Sequence, residues 1–213
     1  MNGFKDWDSD SEESFHSRIN VHHHKAPMKE QLSSAIYRLK VQQNKLESAS
    51  VRMQQHDKDI FAKCVSAQMS HDSARAAMYA NECAEVRKIA KVMLQSQLAL
   101  EQVAIRLETI EEFGDVARMM GPVAGVVRTI KGQIAGVMPE VGYELNQIGE
   151  LLGNFVAEAG EPMGSSYDVA ASNEESQRIL VEAGTIAEQH FIEKFPDLPN
   201  GSTQRLGESG IAH

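Results

Sequence analysis

Residues 28–113 read MKEQLSSAIYRLKVQQNKLESASVRMQQHDKDIFAKCVSAQMSHDSARAAMYANECAEVRKIAKVMLQSQLALEQVAIRLETIEEF, without one proline or glycine. Both residues interrupt helices, so their absence over this length predicts very long helices. An apolar or small residue returns every seven positions through the first half: Leu32, Leu39, Leu46, Met53, Ile60 and Ala67. A second stripe follows at alternating spacings of four and three: Tyr79, Cys83, Val86, Ala90, Met93, Gln97, Leu100, Ala104 and Leu107. Two stripes separated by the polar patch Gln68–Ser73 predict an antiparallel helical hairpin. Its tip falls on Ser70, His71, Asp72 and Ser73, where Asp72 or Ser70 can accept from the free N–H groups of the second helix.

The segment before the hairpin is different. Residues 1–25 are rich in Asp, Ser and Glu, have no period, and read as a disordered acidic leader. Phe4 and Trp7 are candidate membrane wedges, opposed by Asp6, Asp8 and Asp10. His22, His23 and His24 are adjacent, a spacing that suits a solvated linker better than one metal ion. Pro27 sits where a first helical turn tolerates proline.

Beyond the hairpin, ten of the 15 glycines fall between Gly114 and Gly164. Gly121-Pro122 and Met138-Pro139 predict short amphipathic helices of two to four turns over 114–158. Val123, Val126, Val127, Ile130, Ile134 and Val137 give one apolar face; Leu145, Ile148, Leu151, Leu152 and Phe155 give another. Residues 159–213 read as an acidic regulatory tail. A linker over 160–172 precedes one last helix from Asn173 to Lys194, then Phe195-Pro196-Asp197-Leu198-Pro199. Two prolines hold that last segment extended, which lowers the entropy of docking into an apolar groove. The fold class expected is all-α: a long antiparallel hairpin, short amphipathic helices and an acidic C-terminal region.

Charge is unevenly spread. Residues 25–131 carry 16 Lys+Arg against 12 Asp+Glu, whereas residues 132–213 carry 3 against 13. An excess of cations on the first helix, Lys29, Arg38, Lys40, Lys45, Arg52, Lys58 and Lys63, beginning already at Lys25, makes it a candidate anion-binding face. The acidic rear is expected to fold back over it. No window is apolar enough to span a membrane. Aromatics are only 6% of the chain, against ten Met, which suits narrow helical seams. Cys64 and Cys83 fall about 10 Å out of register across the hairpin, too far for a disulfide. No phosphate-cradling glycine loop, Cys-x-x-Cys or Glu-x-x-His pair is present. The pattern therefore predicts no enzyme, no metal site and no cofactor.

The order of these parts resembles ESCRT-III, and within it the archaeal CdvB group of cell-division proteins. The residues that carry the likeness are Arg38-Leu39-Lys40 through Leu46, the turn Met69-Ser70-His71-Asp72-Ser73-Ala74-Arg75, and Leu94-Gln95-Ser96-Gln97-Leu98 through Leu107-Glu108-Thr109-Ile110. The resemblance implies a subunit that polymerises with itself or paralogues on anionic membrane and constricts or severs it. It also implies extraction from the polymer by an AAA ATPase whose MIT domain binds Phe195, Pro196, Leu198 and Pro199. A place on the inner face of the plasma membrane, at the division site, and no nucleic-acid partner follow from the same likeness. Related proteins often have a glycine at the hairpin tip, and here there is none. Some archaeal members add a winged helix, for which this chain has too few residues. The rival readings are a soluble coiled-coil adaptor without a membrane role and a helical-bundle enzyme or regulatory subunit.

Overall fold

The computed structural model of the chain describes residues 28–113, 116–158 and 166–195. Among them the order is α1 (Met28–Met69), α2 (Ser73–Phe113), α3 (Val116–Ile134), α4 (Pro139–Glu158) and α5 (Ser166–Lys194), with no strand. The hairpin is α1 against α2. Every residue of the heptad stripe on α1 is buried except Met53, which is half-buried, and the α2 stripe from Cys83 is buried apart from half-buried Gln97. The leader, its Phe4, Trp7 and His22–His24, and Lys25 lie outside the described residues.

The tip explains how the chain reverses without glycine. His71 has φ 57°, the left-handed region. The Asp72 N–H donates to the Ala67 carbonyl and the His71 N–H to the Gln68 carbonyl, both at 3.0 Å. Those two bonds are a Schellman cap with histidine in the position usually held by glycine. Asp72 then opens α2, its Oδ1 accepting from the Arg75 N–H at 3.0 Å. One residue closes the first helix and the next starts the second.

α3 and α4 form a second, shorter hairpin, with α3 laid on α2 and α4 laid on α1. They bury the two predicted apolar faces, Val123 to Ile134 and Leu145 to Phe155, in one core with Leu32–Ala49 and Met93–Ile110. Two expectations need correcting here. Gly121-Pro122 does not break the chain: α3 runs through Pro122 as 19 residues, and α4 has 20. Burial on one side outweighs the single backbone bond that proline removes. The α3–α4 turn does fall at Met138-Pro139, with proline as first helical residue.

α5 begins at Ser166, seven residues before the expected start, so part of the expected linker is helical. It lies on α2 and α3. Ile179, Leu180, Ala183 and Ala187 are buried, whereas Ile192 faces out. Ser176 Oγ donates to the Pro122 carbonyl at 2.8 Å. A Cβ added at Gly125 would stand 2.5 Å from that hydroxyl, so only glycine admits α5 this close.

The layers end part-way along the hairpin. A separate small cluster, Ile60, Cys83 and Val86 with Met53, Phe61 and Tyr79, fills the seam beyond the main core. From Met53 to the tip, α1 and α2 extend past the main core as an arm of about 25 Å at 1.5 Å per residue, its root covered by the end of α5.

The left-handed residue at the tip yields the first prediction. A non-glycine residue there costs about 1–2 kcal/mol, so His71→Gly should raise stability by about 1 kcal/mol. For a chain of this size that is roughly 2–4 °C in the thermal midpoint, read by circular dichroism; a lowered midpoint would contradict the assigned cap.

Candidate functional site: the clasp at the base of the arm and the basic ridge of α1

Where the main core gives way to the arm, the hairpin seam holds an ion pair. Asp57 on α1 is 1% exposed, and Arg87 on α2 grips it with two bonds, Nε to Oδ1 at 2.6 Å and an Nη to Oδ2 at 3.0 Å. Desolvation makes such a pair a poor source of net stability, but breaking it leaves a charge buried and unpaired. It therefore acts as a register pin. A seven-residue slip of α1 along α2 would keep most apolar contacts of the heptad stripes, yet would carry Asp57 about 10 Å from Arg87.

The same guanidinium receives the end of α5. Its carbon lies 5.7 Å from the Phe61 ring centre and 5.8 Å from that of Phe195. Phe195 is only 6% exposed and stacks on Phe191 at 4.5 Å between ring centres. Gln54 on α1 donates to the Lys194 carbonyl at 3.3 Å. Of the residues expected to engage a partner domain, Phe195 is thus seated on the hairpin itself; Pro196, Leu198 and Pro199 lie outside the described residues.

Further polar contacts run along α5. Lys91 pairs with Glu188 and lies 6.0 Å from the centre of Phe191, and Arg106 pairs with Glu175 at 2.5 Å. These pairs are substantially exposed, and exposed pairs contribute about 0–1 kcal/mol each. Burying one Leu or Ile contributes about 1.5–3 kcal/mol. Apolar burial by Ile179 and Leu180 therefore holds α5 in place, and the ion pairs set where along α2 it sits. The acidic rear does meet the basic front, but charge orients more than it fastens.

The cations expected on one face of α1 separate into two rows. At about 100° per residue, Arg38, Lys45 and Arg52 share one line, and Lys29 and Lys40 another. Between the rows runs a ridge carrying the exposed Tyr37 and Val51, 70% and 58% exposed. Arg38 is closed off, donating to Glu144 at 2.9 Å and Gln147 at 2.7 Å, both on α4. Lys40 pairs with Glu108 of α2. Lys45 and Arg52 line a shallow cleft with Met138 and Glu140. Lys29 sits in the first turn of α1, and its carbonyl accepts from Ser33 Oγ at 3.0 Å.

The cysteines remain free thiols, both buried. Cys64 Sγ donates to the Ala76 carbonyl at 3.4 Å, and Cys83 Sγ faces the Asp57 carbonyl at 4.0 Å. Burial, and after it the Asp57 carboxylate, pushes the Cys83 thiol up to about 11. Among the described residues no group of three or more His, Cys, Asp or Glu is placed to hold a metal ion, and no helix is long and apolar enough to cross a membrane. His56 and His71 are exposed as expected, but His190 is half-buried.

The apolar stripes by themselves did not point to the Asp57–Arg87 pair, although Asp57 stands four residues after Met53 and three before Ile60. Asp57 falls on neither stripe, and Arg87 reads as an exposed charge beside Val86. The available hint was Phe61 one position after Ile60, an aromatic off the seam.

The fold defines a class: a long helical hairpin whose root is packed by a shorter hairpin and clasped by a C-terminal helix. Over 189 residues the chain is 46% identical to "Cell division protein B1" of Sulfolobus acidocaldarius, covering 88% of each chain. It is 32% identical over 163 residues to "Cell division protein B" of the same organism, covering 76% of this chain and 62% of that longer protein. The chain belongs to this family of cell division B proteins. Neither relative bears the name of an enzyme. No protein-family model matches the chain, and no solved structure matches it.

Two predictions come from the clasp. Arg87→Leu should cost about 3–5 kcal/mol by stranding Asp57, whereas Asp57→Leu with Arg87→Leu should recover most of that loss; chemical denaturation of the four-member cycle measures it. The second concerns pH. Because the folded chain holds the Cys83 proton more tightly than the unfolded chain, the thiol's contribution is complete below its ordinary value of 9.0. It is lost as pH rises through about 11. Urea unfolding at increasing pH should therefore fall less steeply for Cys83→Ala than for the parent chain across that interval.

Proposed function

We propose that this chain acts in cell division as a filament-forming subunit of the ESCRT-III type, assembling on anionic membrane to constrict or sever it. Kinship with proteins named for cell division supports the process. One observation carries the mechanism: α1 presents a ridge with exposed Tyr37 and Val51 between two cation rows, while α4 and α5 fold back over the rest of the hairpin. Apolar side chains flanked by Lys and Arg stems suit a helix lying at a lipid surface, the ring and methyls entering the headgroup layer and the cations meeting phosphates. Lys25, Lys29, Arg38, Lys40, Lys45 and Arg52 are the residues assigned to this face.

In this reading the arrangement described is the closed subunit. Opening requires α5 to leave α2 and α3, which frees Arg106 and Lys91 from Glu175 and Glu188 and returns Phe195 to solvent, while Arg87 stays on Asp57. The Phe195-Pro196-Asp197-Leu198-Pro199 segment is then available to the MIT domain of an AAA ATPase, which removes subunits from the polymer. Met69 and Met78, exposed near the tip, are apolar contacts that the arm offers to a neighbouring copy or paralogue. The subunit sits on the inner face of the plasma membrane at the division site.

Release of α5 is the test. Ile179→Asp with Leu180→Asp should drive the full chain onto phosphatidylglycerol-containing vesicles and into filaments seen by electron microscopy. Charge reversal at Lys29 and Lys45 should weaken sedimentation, more so at low salt where attraction is least screened. Filaments that form without lipid and ignore it would favour the adaptor reading. Phe195→Ala with Leu198→Ala should abolish binding to the MIT domain by calorimetry and leave helicity unchanged.

A further inference from the structure

The cation row of α1 is treated unequally by the second hairpin. Arg38 is closed by Glu144 and Gln147. One and two heptads further along the same line, Lys45 and Arg52 have no ion-pair partner among the described residues. Their neighbour at that level is the α3–α4 turn rather than the body of α4. The result is a cleft of about 460 Å³ shared by α1 and that turn. Val41 and Met138 form its apolar part, Asn44 and Ser48 add an amide and a hydroxyl on α1, and Glu140 is the one acid in its lining.

We infer that this cleft binds a phosphate ester, and that the ligand favours the seat of the second hairpin on α1. Lys45, Arg52 and Glu140 leave one net positive charge, matched to a singly charged phosphodiester. The Arg52 guanidinium can fork onto two phosphate oxygens, Lys45 supplies a compact charge, and Asn44 and Ser48 supply further donors. A ligand held by walls from both α1 and the α3–α4 turn binds only while the two are apposed, so by mass action it stabilises that seat, whether or not α5 is in place. This consequence runs against simple membrane attraction, in which anions draw the ridge of α1 away from its own acidic helices. The cleft shares Lys45 and Arg52 with the proposed membrane face but does not depend on it. A lipid headgroup and a soluble phosphodiester offer the same chemistry.

The test uses the full chain and two probes: glycerophosphoglycerol, a soluble phosphodiester, and vesicles containing phosphatidylglycerol. The soluble probe should bind saturably at one site by calorimetry and raise the thermal midpoint. Lys45→Gln with Arg52→Gln should weaken it by about tenfold or more, the loss expected for charge-assisted bonds, with helicity unchanged. Glu140→Gln, which removes the carboxylate of the lining, should tighten it several-fold. Absence of saturable binding, or binding indifferent to all three substitutions, would overturn the cleft. Vesicle sedimentation without binding of the soluble probe also overturns it and leaves the membrane reading standing. Soluble binding by a parent chain that does not sediment supports the cleft; if the Ile179→Asp, Leu180→Asp chain also fails to sediment, the membrane reading falls and the cleft stands.

Discussion

A carboxylate buried in a helical seam organises this molecule. Asp57 is held by Arg87 at two points, and both lie where the main core ends and the arm begins. Heptad stripes alone tolerate a slip of one repeat, because most apolar residues would meet another. An unpaired charge at 1% exposure does not tolerate it. The register of α1 on α2, and through it the position of every helix laid on them, rests on this pair.

The pair also links the hairpin to the end of the chain. Fixed by Asp57, the guanidinium of Arg87 lies over the rings of both Phe61 and Phe195. Cation–π contacts of this kind contribute about 0.5–2 kcal/mol, more where water is excluded. That is small beside the burial of Ile179 and Leu180 further up α5. Phe195 is itself buried, so these contacts add to its apolar burial and the clasp holds at its end as well as in its middle. At the crossing of α5 and α3, Gly125 admits the Ser176 hydroxyl to the Pro122 carbonyl.

Much of the fold was legible along the chain. The two stripes, the tip at Ser70–Ser73 and the apolar faces of α3 and α4 follow from periodicity, because one buried face imposes its spacing on a helix. Pro122 misled because a proline signal is local, whereas Val123, Val126, Val127 and Ile130 bury together and keep the helix going. The start of α5 misled for a related reason. Gly164-Ser165-Ser166 reads as loop by composition, but the helix starts where its own turns close, not where its apolar face begins. The basic residues of α1 were visible individually, yet their division into two rows is set by rotation about the helix axis and by which acids α4 and α2 bring near.

What the sequence determined by itself is the helical hairpin, its polar reversal, the apolar faces that cover its root and the imbalance of charge between its halves. These are properties of neighbours within one helix, where residues three, four and seven apart must meet. Tertiary structure decided the rest: that Asp57 and Arg87 find each other 30 positions apart, that Phe195 closes onto the hairpin, and that Arg38 is covered while Lys45 and Arg52 are left open. Those outcomes depend on distances between helices, which the periodicity of any one helix does not encode.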